Sequence, residues 1–468
     1  MKKKIIFKYL SIFLITLLLP ALIHSIGKKT SFYNQAYQNL TGTKAQIVVD
    51  LKNPELIDEF SWNNLAQGGE EISGMLDPVK GELKNLKPKY IRIDHVFDFY
   101  KTVKKDALGN FFYDWTKLDK EISIILETGA KPFISLSYMP DALSKGNEVD
   151  EPVSWNEWKE LIRKTVEHIS GRGGLKISDV YYEVWNEPDL FGGFKPGGTK
   201  DYLALYQYAA IGANEAKDTL PFKFGGPATT SLYKNWFDSL IKFVNSNNLP
   251  LDFFSWHRYS KYLEDYEKDY YDLKSWILAH PKYSGIELVI SEFGHNSDAD
   301  ILYDKNFSAI HTLAVYSTLF PKIQKIFLFE IKDGPGGEKY WGRWGILTHE
   351  KLGTPEKKPR YKAIEFLNKM NGSWYPVYGQ GSWVKAIATT DRKVVRLLVV
   401  NYDPFEKHHE NVPVSFLNLF HKEFTFRRLE FLGAVAEYEV KVGGDSWTTS
   451  QMMAPNSAVI LEITPKEN

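Results

Sequence analysis

The chain has no cysteine among its 468 residues. That absence excludes disulfides, thiolate zinc sites, iron–sulfur clusters and thiol nucleophiles together. An excess of charge of one sign is missing too, since 58 Lys and Arg balance 58 Asp and Glu. Six of those lysines lie in the first thirty residues, which hold no acid, so the rest carries 52 basic against 58 acidic groups, a net of −6. A body so charged presents no basic face, which argues against a nucleic-acid partner. There is no Gly-x-x-x-x-Gly-Lys-Ser/Thr phosphate loop, no His-Glu-x-x-His zinc helix, no Gly-x-Ser-x-Gly elbow and no internal repeat.

One long apolar run exists, over about residues 9–26, behind Met1, Lys2, Lys3 and Lys4. A basic head followed by an apolar stretch reads as an export signal over 1–27. At about 18 residues it is also at the short edge of what spans a bilayer, so a retained membrane anchor stays open. Ser25 and Gly27 are the best small pair for cleavage. Residues 28–44 read as a linker. The protein is therefore expected to be secreted, or attached to the outer face of the membrane.

From 53 to 370 short apolar runs alternate with longer amphipathic ones. The strand-like runs are 61–67, 89–96, 131–139, 180–188, 223–230, 252–260, 287–294 and 325–333. Helix-like segments between them include 115–129, 155–170, 201–217, 235–247 and 306–320. Leu118, Ile122, Ile125 and Leu126 show the spacing of a core-facing helix. Alternating strand and helix means parallel strands with crossovers. Eight such units predict a (β/α)₈ TIM barrel; a doubly wound sheet would want an early Gly-rich turn, and none is there. After 370 the segments become short, β-branched and turn-separated, which predicts an antiparallel β-sandwich over 371–468. A strand-like 45–52 has no place in the barrel and is expected to join that sandwich.

Barrels of this kind place chemistry at the C-terminal ends of their strands. The fourth run ends Trp185-Asn186-Glu187-Pro188 and the seventh Ser291-Glu292-Phe293-Gly294. Glu187 and Glu292 lie three repeat units apart, at one level of the rim, facing one pocket. Two facing carboxylates suit glycosidic bond cleavage, one giving a proton and the other attacking carbon or activating water. A lone Glu before Pro would equally cap a helix; two at matched positions weaken that alternative. On the sixth run, His257 and Tyr259 alternate inward with Phe253 and Ser255, and on the second, Arg92 and Asp94 share a face. Arg92 could instead form a buried ion pair with Glu183. His95 and Tyr138 either line the pocket or serve the barrel top, and Trp185 is a packing residue.

The Trp185–Pro188 and Ser291–Gly294 motifs resemble those of the clan of retaining (β/α)₈ glycoside hydrolases. The stretches 90–95, 111–119, 131–133 and 252–259 resemble family 39 within it, the family of β-xylosidases and α-L-iduronidases. The likeness covers roughly 60–370. It implies Glu187 as acid/base, Glu292 as nucleophile, and Asn186 on the sugar 2-hydroxyl. It also implies His257 and Tyr259 at the sugar or at Glu292, and Arg92 holding Glu292 ionised. Such an enzyme needs no cofactor and no metal, and takes a carbohydrate as partner. One departure stands out: strand eight lacks the clan's usual Trp and reads Phe327-Leu328-Phe329-Glu330. Trp341 and Trp344 are the candidate replacements, with Glu330 and Asp333 as candidate sugar contacts. A binding protein on the same fold and a transglycosylase remain alternatives.

Overall fold

A computed structural model describes residues 42–466 apart from positions 58, 70, 72 and 73. The expected signal or anchor, and nearly all of the linker, lie outside the described residues. Eight parallel strands close into a barrel: Asn64–Gln67, Tyr90–Ile93, Lys131–Ser135, Val180–Glu183, Phe222–Thr229, Phe253–Tyr259, Glu287–Gly294 and Lys325–Phe329. The eighth returns to the first, with Phe327 opposite Asn64.

Alternation along the strands fills the barrel in layers. Ala66, Tyr90, Phe133, Tyr181, Phe253, Val289 and Phe327 form an aromatic plug. Phe133 stacks on Tyr181 at 5.2 Å and meets Phe327 edge-on at 4.7 Å. Two residues further along their strands, Arg92, Ser135, Glu183 and Ser255 are all buried. The inner wall thus changes from apolar to polar within one period, and the polar layer underlies the site. Helices cover the outside, among them Thr116–Glu127, Trp155–Ser170, Tyr202–Glu215, Lys234–Ser246 and Asn306–Leu319. Two more, Leu263–Ile277 and Pro359–Leu367, complete the cover of the later units.

The C-terminal region is two packed sheets. Six strands run in the order Ser373–Tyr375, Val384–Thr390, Val395–Asn401, Ser457–Pro465, Glu423–Glu430, Val435–Lys441. Four run Val377–Tyr378, Ile47–Asp50, Glu410–Leu417, Ser446–Met453. Ile47–Asp50 lies antiparallel to Val377–Tyr378 but parallel to Glu410–Leu417, so the sandwich carries one parallel pair. That strand arrives from before the barrel, without a hairpin to impose antiparallel pairing. Ser446–Met453 has no apolar run, and only two of its eight residues are buried.

Candidate active site

Glu187 stands four residues past the end of the fourth strand, on backbone that ordinary side chains avoid. Trp185 has φ 73° and Glu187 φ 44°. Such angles cost about 1–3 kcal/mol each and persist only where neighbours enforce them. Here Ser135 donates its hydroxyl to the Trp185 carbonyl (2.9 Å), and the Trp185 indole N–H reaches the Phe191 carbonyl (3.0 Å). The Glu187 N–H bonds the Ala228 carbonyl at 2.9 Å.

Glu292 reaches the pocket through a β-bulge. Inward Val289 and simple alternation would aim Ser291 inward and Glu292 out. The pairing with strand six slips between Ile290 and Glu292, so that Ile290 faces Trp256 and Glu292 faces His257. The extra residue reverses the phase and turns the carboxylate inward.

The two carboxylates share a tight set of partners. His257 Nδ1 lies 2.8 Å from Glu187 Oε1 and 3.5 Å from Glu292 Oε2. One oxygen of each carboxylate and a His257 nitrogen lie within 4.8 Å of one another. Tyr259 donates its hydroxyl to Glu292 Oε2 at 2.8 Å. Arg92 spreads its fork over three acceptors: Nε to Glu183 Oε2 (2.7 Å), Nη1 to Glu292 Oε1 (2.9 Å) and Nη2 to Asn186 Oδ1 (2.7 Å). Asn186 passes its own N–H to the Tyr138 hydroxyl at 2.7 Å. The ion pair of Arg92 with Glu183 and its contact with Glu292, alternatives in the sequence, therefore coexist.

Burial pushes the Glu292 carboxyl up; His257 and Arg92 pull it down, Glu187 and Asp94 push it further up, and the net direction is upward. Burial pulls the His257 imidazole down, but Glu292 and Glu187 outweigh it and leave it above its usual value. The whole arrangement opens onto a cavity of about 980 Å³. Asp94, His95, Tyr138, Asn186, Glu187, Tyr259 and Glu292 line it, while Arg92 and His257 lie buried beneath. His95 sits with Nδ1 2.7 Å from Asp98 Oδ2 and its ring edge-on to Tyr138 at 4.6 Å.

Trp341 is not at this cavity. Its indole packs on the loop at Gly336, where an added Cβ would come within 2.4 Å of it, and the Arg343 guanidinium lies 4.9 Å from its ring. The aromatic wall is instead Phe329 with Trp344, ring centroids 5.7 Å apart. Phe329 lies two residues beyond inward Phe327, so alternation alone marks it. Asp333 is no sugar contact either, because Lys358 Nζ and the Gly345 N–H hold it at 3.0 and 2.8 Å. Glu330 takes a 3.0 Å bond from Gln67 and is absent from the lining. Phe99, Glu148 and Phe191 line the cavity from loops, where no periodicity points to them.

Among the described residues, two clusters have the His and carboxylate groups to hold a metal ion. In one, Glu187, His257 and Glu292 have the Arg92 guanidinium against them. In the other, the Lys332 ammonium sits 3.2 Å from Glu71 and 3.0 Å from Glu350, beside His349, where a cation would go. Each cluster already has a protein cation to balance its carboxylates.

Residues 67–276 match the sequence model of Glycosyl hydrolases family 39. A β-xylosidase of Caldicellulosiruptor saccharolyticus is 28% identical over 337 residues, 66% of this chain and 66% of that protein. A β-xylosidase of Geobacillus stearothermophilus is 29% identical over 198 residues, 40% of this chain. The chain thus spans just under two thirds of the length of the first relative and 39% of the second. Among solved structures, a monomeric β-xylosidase from Caulobacter crescentus CB15 superposes with a TM-score of 0.74 at 22% identity, covering 90% of this chain and 100% of that one. A GH39 enzyme from Xanthomonas axonopodis pv. citri gives 0.73 at 22% identity, with 91% and 98% covered. The motif-bearing part of the barrel thus matches the model of family 39 over residues 67–276, and the chain is similar in sequence to β-xylosidases and in fold to enzymes of that family.

Proposed function

We propose that this protein is a retaining glycosidase acting on a neutral sugar of β-xyloside type. The observation that carries the mechanism is the approach of Glu187 and Glu292, with oxygens within 4.8 Å of one another. Retaining enzymes hold their carboxyl groups about 5–5.5 Å apart, and inverting ones about 6.5–9.5 Å, to admit a water. Glu292 attacks the anomeric carbon as the carboxylate oriented by Arg92 and Tyr259. Glu187 gives its proton to the leaving oxygen, then takes one from the water that releases the covalent glycosyl-enzyme. His257, on Oε1 of Glu187, leaves Oε2 as the oxygen that carries the proton. Asn186, fixed by Arg92 and Tyr138, holds the sugar 2-hydroxyl.

The lining supports the choice of sugar. Asp94, Glu148, Glu187, Glu292 and Asp298 line the cavity, and among the described residues no Lys or Arg does. A uronate would meet carboxylates with no cation to receive it. The named relatives are β-xylosidases. We further propose that the N-terminal segment exports the protein, as its basic head and apolar run support.

Turnover on a panel of aryl glycosides tests the reading, with Glu187→Ala and Glu292→Ala beside wild type and azide added. Xylosides should turn over and glucuronides should not. Glu292→Ala should nearly abolish turnover and give the inverted glycosyl azide. Glu187→Ala should cost about 100- to 10,000-fold on poor leaving groups, spare activated ones, and give the retained azide. A silent wild type would favour a binding protein on the same fold. Mutants as active as wild type would refute the assignment of the two residues.

A further inference from the structure

Glu183 is the last residue of the fourth strand and is fully buried in the polar layer below the cavity. Its Oε2 accepts from Arg92 Nε at 2.7 Å, while its Oε1 is buried without a hydrogen-bond partner among the described residues. An ion pair made for stability would use both oxygens in a bidentate fork. Buried pairs contribute little net stability in any case, because desolvation consumes most of the Coulomb gain. Stability therefore does not account for this carboxylate.

Orientation does. A guanidinium is a rigid plane, and three acceptors on its three nitrogens leave it no freedom to turn. With Nε held by Glu183, Nη1 is aimed at Glu292 Oε1 and Nη2 at Asn186 Oδ1. Without that hold, Arg92 could turn both nitrogens onto Glu292 and abandon Asn186. A second consequence is electrostatic: Glu183 balances Arg92, so that only part of its charge acts on Glu292.

We propose that Glu183 is a positioning residue, which through Arg92 sets the orientation of Asn186 and the charge felt by Glu292. This rests on the proposed roles of those two residues. The test is kinetic, with Glu183→Ala, Glu183→Gln and the reference Asn186→Ala. Each is assayed on an activated aryl β-xyloside and on its 2-deoxy counterpart, with thermal melts to report folding. Glu183→Ala should lose about 100-fold in kcat/KM on the xyloside. Its preference for the 2-hydroxy over the 2-deoxy substrate should shrink about tenfold, a change that general loss of structure would not produce.

Glu183→Gln keeps an acceptor for Nε and removes the charge. It should retain the substrate preference, while the acid limb of kcat/KM moves to lower pH, because Arg92 then acts unbalanced on Glu292. The other groups facing Glu292, namely His257 and Tyr259 from strand six, Glu187 and Asp94, are unchanged in this variant. Equal losses on both substrates in Glu183→Ala, with an unmoved acid limb in Glu183→Gln, would overturn the proposal. If Asn186→Ala keeps the 2-hydroxy preference, the role given to Asn186 is wrong. The acid limb, which does not depend on Asn186, then decides for or against Glu183. It decides equally if Glu183→Ala fails to fold.

Discussion

At the scale of single residues, Glu292 illustrates what a buried charge in the candidate site costs the fold. Burial raises its carboxyl, and Glu187 and Asp94 add to the effect, against His257 and Arg92. A carboxyl raised in the folded state stabilises the fold fully at pH below its unfolded pKa. That contribution is lost as pH rises through the folded value. At neutral pH, where the proposed role of Glu292 requires it ionised, its charge therefore works against the fold. Glu292→Gln mimics the protonated form and should be inactive, yet melt about 2–4 °C above wild type at pH 7. The gap should close in acid, and a variant melting no higher at pH 7 would contradict this account. The same shift sets activity. If Glu292 is the nucleophile proposed above, the acid limb of kcat/KM should lie above the usual glutamate range, since protonation removes it.

At the scale of elements, the site depends on where the strands break their own rule. The bulge before Glu292 turns it inward, and a second irregularity lies between Pro227 and Thr229 of strand five. There Ala228 takes φ 54° and turns its carbonyl to the Glu187 N–H. Only glycine accepts such an angle freely, and a β-branched residue resists it most. Ala228→Gly should therefore hold or raise the melting temperature with near-normal kcat. Ala228→Val should cost about 1–3 kcal/mol and lower kcat by loosening Glu187, as melts and initial rates would show. These irregularities also mark how far the sequence can be read. Seven of the eight barrel strands announce themselves as apolar runs, the first, Asn64–Gln67, only faintly, and Trp185–Pro188 and Ser291–Gly294 announce the carboxylates. The phase slip at Ser291 does not, because period-two alternation carries no sign of an inserted residue. Helix Leu263–Ile277 hides for another reason: of its fifteen residues only Leu263, Tyr266, Asp269, Leu273 and Ile277 are buried, too sparse a stripe amid charge. Trp341 misled because a Trp in a Gly-rich loop fits either a sugar face or a backbone surface. Gly336 decides for the latter.

At the scale of the whole molecule, barrel and sandwich share one hydrophobic core. Helix Asn306–Leu319 is buried at every position but Asn306. A helix buried all round needs cover on all sides. The barrel supplies one side, and Ile387, Leu398, Val400 and Ile460 of the six-stranded sheet join the same core from the other. The opposite face of that sheet, with Ala386, Ala388, Leu397, Val399 and Leu461, packs into the sandwich. Strand Val384–Thr390 is accordingly buried at all seven positions. Tyr402 adds a 2.7 Å bond to the Lys261 carbonyl, and its ring lies tilted against Phe307 and edge-on to His311. A chain cut after residue 370 would leave this helix exposed along one side, and each fully exposed large apolar side chain costs about 1.5–3 kcal/mol. Since whole domains are stable by only about 5–15 kcal/mol, a few such side chains suffice to unfold the barrel. The truncated barrel should aggregate, or melt without cooperativity, although it keeps every residue of the site. The full chain should melt in one calorimetric transition. Two separated transitions, or a soluble truncated barrel with wild-type turnover on an aryl xyloside, would show that the sandwich is an appendage instead.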